Sequence, residues 1–273
     1  MLGIEIPNAK ILITVKTYPM PTPGYEEIVC TAGLTEEGDW IRIYPVPYRD
    51  LPFNQQYKKY DWILLNLTKN KKDFRKESYS PKKMFDEKID ILDSISTKDG
   101  WKERKKIILK NIYYSFDEII ALSKTEKVSL GTIKPQKIIN FEIESTGRHW
   151  PEKYSQRMEQ YKLFENVNNR RSLIRKLPYK YYYRFTTLDG KERKLQIFDW
   201  EIGALFWNCM EIHKHDEDKA NEIVKKKYFE EFSTKKDLYF FVGTTYRFHK
   251  KGVENPFSII GVFYPPLERQ LSL

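Results

Sequence analysis

The chain has 273 residues, of which 40% are apolar and 15% aromatic, so it can bury a core as one large domain or two small ones and does not read as a disordered chain. Its 48 Lys and Arg outweigh 38 Asp and Glu, a formal net charge of +10 that favours polyanionic partners. No apolar run approaches the roughly 20 residues of a membrane span, and the start MLGIEIPNAK lacks the basic and apolar segments of a secretion signal, so the expectation is a cytoplasmic protein with no membrane partner.

Strand signals come first. Residues 10–18 (KILITVKTY), 26–34, 39–45 and 61–68 (DWILLNLT) are extended runs of β-branched and aromatic residues between turn clusters, which predicts a small barrel or curled sheet. Within this part, the segment from Cys30 to Arg49 reads as a β-hairpin around TEEGD. On its return strand Trp40, Arg42 and Tyr44 share one face and Ile41 and Ile43 the other. The isoleucines claim the core and the arginine resists burial, so the indole, guanidinium and phenol are expected outside, where they would stack on bases and touch phosphate. Pro45, Pro47, Tyr48 and Arg49 end the strand, because proline cannot extend a sheet ladder.

Residues 69–88 (KNKKDFRKESYSPKKMFDEK) are charged and nonperiodic. They predict a β-rich barrel-like unit over 1–68, a linker or long basic loop over 69–98, and a mixed helical and β unit over 99–273 packed against the first. Helical spacing of Trp101, Ile107, Ile108 and Ile112 marks 99–112, and Ser115 with Glu118 forms a capping box ahead of a second helix. A strand over 132–145 follows, then a helix over 151–168 with Tyr154, Met158, Tyr161 and Phe164 on one side. Asp189 and Gly190 signal a hairpin, helices are expected over 200–213 and 217–232, and the apolar runs DLYFFVGT and FSIIGVFY read as strands covered on both faces.

The positive charge is not spread evenly. Residues 1–66 carry a net −2, 67–140 a net +7, 141–196 a net +6 and 197–273 a net −1. A central excess of this kind steers polyanions and makes their binding strongly salt-dependent.

Two polar constellations stand out. In TGRHW, Arg148, His149 and Trp150 sit on a turn before Pro151 starts a helix, which brings a guanidinium, an aromatic and free N–H groups together as an anion or base pocket. Asp199 and Glu201 follow the strand bearing Glu192 and Lys194, the ingredients of Mg-dependent phosphodiester cleavage, although their order departs from the commonest arrangement and Asp199 is equally suited to capping a helix. His213 and His215 beside Asp216 and Asp218 have the wrong spacing for a helical metal pair, and the lone Cys30 and Cys209 are expected as small core residues, so no metal site is assigned. Dinucleotide, P-loop and nucleophile-elbow fingerprints are missing, so no cofactor is expected beyond Mg under the nuclease alternative.

The sequence therefore predicts an α+β protein with an N-terminal β-rich barrel-like unit, a basic helical segment and a mixed α/β C-terminal part. Its expected partner is nucleic acid, RNA or DNA, met through a basic, aromatic-lined surface that suits single-stranded, flipped or modified bases. A Mg-dependent nuclease of a restriction or antiviral type and a protein-interaction subunit docking through YPVPYR are the alternatives.

Overall fold

Alternating apolar residues along the first forty positions leave each strand with two faces to cover, and the fold covers both. The computed structural model describes residues 4–22, 25–83, 86–152 and 174–268. It begins with β1 (Glu5–Lys16), β2 (Met20–Thr22), β3 (Tyr25–Leu34), β4 (Trp40–Val46), β5 (Asp61–Lys69) and β6 (Ser78–Pro81). Pairings β1–β3, β3–β4, β4–β6, β6–β5 and β5–β1 close five strands into a barrel, with β4–β6 the parallel pair. β2 extends the wall beside β3, and β7 (Asp90–Ser94) pairs with β5. Closure removes the exposed edges that an open sheet of this length would leave.

The segment 69–98, expected as a linker or long basic loop, supplies the closing strand β6 and the flanking β7. Short strands among lysines give no periodic signal, and β6 is held by its position between β4 and β5 and not by its own propensity.

The barrel interior is filled by Ile11, Ile13, Ile41, Ile43, Ile63, Leu65 and Tyr57. Leu12, Val15, Leu34, Trp40 and Trp62 point outward from the same strands and join Tyr239, Phe241, Ile260 and Phe263 in a second core. At roughly 25 cal/mol per Å² of apolar surface, this outer layer binds barrel and C-terminal part into one body. It also overturns the expected exposure of the Trp40, Arg42, Tyr44 row. Trp40 is buried with its ring 5.5 Å from Phe241, Arg42 is buried, and Tyr44 is half-buried, because the second sheet covers the barrel's outer face.

The remainder comprises α1 (Lys98–Ile108), β8 (Ile112–Tyr113), α2 (Phe116–Thr125), β9 (Leu130–Ile133), β10 (Lys137–Ser145), β11 (Tyr179–Thr186), β12 (Glu192–Gln196), α3 (Trp200–Ile212) and α4 (Glu217–Lys225). A π-helical turn over Lys226–Glu231 leads into α5 (Phe232–Lys235), followed by β13 (Tyr239–Thr244), α6 (Tyr246–Lys250) and β14 (Phe257–Phe263). The strands form two sheets, β10-β11-β12 and β14-β13-β9-β8. The single strand expected over 132–145 is thus two strands in different sheets, parted at Pro135, which lacks a ladder donor. The helix expected over 151–168 lies almost wholly outside the described residues.

Helices and sheets here share a third core of Phe116, Tyr181, Tyr183, Phe185, Phe206 and Phe240 among others. β13 and β14 are buried along their whole length, as their unbroken apolar sequence requires. α2 starts after Ser115, but its cap comes from the hairpin turn: an Asp189 carboxylate oxygen accepts from Phe116 N at 2.9 Å, from Asp117 N at 3.2 Å and from Ser115 Oγ at 3.2 Å. A long-range cap of this kind carries no local sequence signature.

Candidate functional site

Where β6, the lysine segment before it and the first turn after β13 meet the barrel wall, the two halves of the chain leave a cavity of about 850 Å³. That volume lies within the range of small-molecule and cofactor sites. The turn Asn70-Lys71-Lys72-Asp73 forms one lip: Asp73 N donates to Asn70 O at 3.1 Å and Lys72 N to Asn70 Oδ1 at 3.0 Å. Such an Asx-supported turn holds the intervening side chains outward, and Lys71 and Lys72 are exposed.

Behind the lip, Arg75 is buried and clamps the turn to the second sheet. Its Nε donates to Asp73 Oδ1 at 2.9 Å, its Nη2 to Asp73 Oδ2 at 2.5 Å, and its Nη1 to Thr244 O at 2.7 Å. Ser78 Oγ adds a bond to Asp73 Oδ2 at 2.7 Å. Burial works to raise the Asp73 pKa, and the Arg75 hydrogen bonds and charge outweigh it, leaving this carboxyl below its ordinary value.

Arg42 lies at the inner wall. Only 3% of the residue is exposed, and burial pulls its pKa below the usual arginine value, helped by the neighbouring Arg75 and opposed by Cys30 and Glu77. Nη2 donates to Ser129 O at 3.1 Å and Oγ at 3.3 Å, while Nη1 faces Cys30 Sγ at 3.3 Å. Nε has no hydrogen-bond partner among the described residues. Glu77 does not touch the guanidinium; its carboxylate accepts from Ser129 N and Oγ instead.

Among the described residues, six cations, Arg42, Lys69, Lys71, Lys72, Arg75 and Lys82, line this cavity with one carboxylate, Asp73, and Lys82 is paired with Glu5 outside it at 2.9 Å. Aromatic surface comes from Tyr18, Tyr44, Phe198 and Tyr246. At the rim Tyr246 is about 40% exposed, with Lys250 5.7 Å from its ring centroid; Phe74, which lines the neighbouring cavities, packs against it with ring centroids 5.7 Å apart. A neighbouring cavity of about 970 Å³ is larger, but Asp39, Glu77, Glu118 and Glu126 offset its lysines, so the smaller one has the stronger cationic lining.

Tyr18 is fixed from the other half of the chain: Trp207 Nε1 donates to its hydroxyl at 2.8 Å, and the hydroxyl donates to Arg175 O at 2.8 Å. Its ring packs on Gly203 of α3, where a Cβ would come within 2.4 Å of the ring, so only glycine permits this approach.

Of the residues singled out from sequence, Arg42 and Tyr44 line the cavity, whereas Trp40 lies in the core and Arg49 is half-buried beside β4. Arg148 reaches Glu217 in a two-pronged ion pair, Trp150 Nε1 donates to Ile174 O at 3.1 Å, and His149 is exposed, so the TGRHW turn is tied to α4 and stands apart from the cavity. The four carboxylate and lysine candidates divide between two networks. Asp199 and Glu201 are held by Lys59, while Lys194 is held by Glu142 and Glu144 and Glu192 by Arg184, so no common metal-binding cluster forms from them. Sequence reasoning missed Lys71, Lys72, Arg75 and Tyr246 as site residues, although the charge run KNKKDFRK was visible.

A family model described as Domain of unknown function (DUF8758) matches residues 7–110, and one described as Domain of unknown function (DUF8757) matches residues 110–273. No curated protein matches the chain. Among solved structures, a murine DNA-binding protein bound with double-stranded DNA is similar at 10% identity with a TM-score of 0.32, the alignment covering 96% of this chain and 100% of that one.

Proposed function

We propose that this chain, which belongs to the family described as Domain of unknown function (DUF8757), binds RNA or DNA at the cationic cavity between its barrel and its second sheet. The observation that carries the reading is the lining itself: among the described residues six cationic side chains and one carboxylate, both arginines buried, with the exposed Tyr246 ring at the rim. Lysines on a turn attract phosphates without regard to sequence, and Tyr246 offers a face for base stacking.

A walled cavity favours unpaired nucleic acid. Bases in a duplex are stacked out of reach, whereas a single-stranded or flipped nucleotide can enter. The test is fluorescence anisotropy of labelled single strands and duplexes of the same sequence at low salt. A single-strand affinity at least tenfold above that for duplex supports the reading, and equal or absent binding contradicts it.

A further inference from the structure

Resting on the nucleic-acid reading, the geometry points to Arg42 as a phosphomonoester site, occupied by the terminal phosphate of a bound strand. Arg42 is a buried cation that no carboxylate hydrogen-bonds among the described residues. Its buried Nε is unpartnered among the described residues, its Nη1 meets the weakly accepting Cys30 thiol, and Glu77 gives its oxygens to Ser129. Burying a guanidinium with incomplete partners is costly, and an oxyanion at the inner wall offsets that cost.

The depth of Arg42 selects which phosphate arrives. An internal phosphodiester has sugar on both sides, so two lengths of chain would have to enter beside it. A terminal phosphate enters end first and carries up to two negative charges near neutral pH, since its second pKa is about 6. Its three non-ester oxygens suit the planar guanidinium, the side chain best matched to that contact, and the weakly held Nη1 donor is the one it would take over from Cys30. Lys71 and Lys72 at the lip then meet the following phosphates, and Tyr246 a base.

The test compares one oligonucleotide carrying a 5′-phosphate, a 3′-phosphate or hydroxyls at both ends, together with the 5′-mononucleotide and inorganic phosphate, against three proteins. These are the wild type, Arg42→Gln and Cys30→Asp. The last places a resident carboxylate beside the guanidinium and so needs no unfolding-prone loss of the arginine. Wild-type protein is expected to bind one terminally phosphorylated strand at least tenfold more tightly than the hydroxyl form. In Cys30→Asp that preference vanishes while the hydroxyl form binds within about twofold of wild type. Equal wild-type affinity for all three ends, or a preference that survives in Cys30→Asp, overturns the site and leaves nucleic-acid binding standing. Direct binding of the mononucleotide and inorganic phosphate by calorimetry, lost in Cys30→Asp, with no binding of any oligonucleotide, keeps the phosphomonoester site and overturns the nucleic-acid reading.

Discussion

Lys59, in the loop between β4 and β5, donates to both carboxylate oxygens of Asp199 at 2.8 Å, joining positions 140 residues apart with side chains 5% and 0% exposed. Glu201 Oε2 lies 3.1 Å from the same ammonium, and Asp199 Oδ1 also accepts from Glu201 N at 3.2 Å to cap α3. One buried pair therefore fastens the barrel to the helix that positions Tyr18. Removing a single partner leaves a buried charge unmatched, so Lys59→Met is expected to cost about 3–5 kcal/mol in urea unfolding. Adding Asp199→Asn, which keeps the cap acceptor, restores a large part of that loss. A single-variant cost under about 1 kcal/mol would show that the pair does not hold the halves together.

Lys16 sits beside this pair without a carboxylate of its own. Its Nζ donates to Tyr48 Oη and Tyr57 O, each at 3.1 Å, and lies 4.3 Å from the Tyr48 ring centroid. Burial, with the Lys59 charge adding to it, pulls its pKa down to about 8, against the opposing pull of Glu201, Asp61 and Asp199. The sign follows from proton counting. Between about pH 8 and pH 10.5 the unfolded chain holds this proton and the native chain has released it, so stability rises with pH in that window. Below pH 8 both states are charged and the burial cost is present in full. Lys16→Met is expected to be more stable than wild type at pH 7 by on the order of 1–3 kcal/mol and to lose the rise above pH 8. Thermal melts from pH 7 to 10 measure both.

Two aromatic substitutions separate core from rim. Trp40→Ala removes a buried ring packed on Phe241 and is expected to cost about 3–5 kcal/mol of stability, with binding by the folded fraction unchanged. Tyr246→Ala, at an exposed ring, is expected to weaken single-strand binding by roughly 1–3 kcal/mol with little change in melting temperature. The reverse pattern would restore the β4 row as the binding face.

The barrel strands, the hairpin at Asp189, α3 and the two buried final strands were legible because each rests on local periodicity or turn chemistry. β6 was not, because its pairing comes from both neighbours and its own four residues carry no pattern. The face of β4 was misjudged for a related reason. Alternation separates the two sides of a strand, but when a closed barrel also packs on a second sheet both sides are interior, and Arg42 is accommodated there by Ser129 and Cys30. The basic excess lies over residues 67–196, and the lysines and Arg75 at the cavity come from its first part, whereas residues that complete the cavity, such as Thr244 and Tyr246, come from more than 160 positions downstream of Arg75.

If the cationic lip at Lys71 and Lys72 draws in phosphates, single-strand affinity falls with salt, and the measurement is that salt dependence for the wild type and for Lys71→Ala/Lys72→Ala. About four phosphate contacts give a wild-type log–log slope near −3, and loss of two gives a slope shallower by roughly 1.4 in the double variant. A wild-type slope near zero, or a double variant with the wild-type slope and affinity, would contradict the claim.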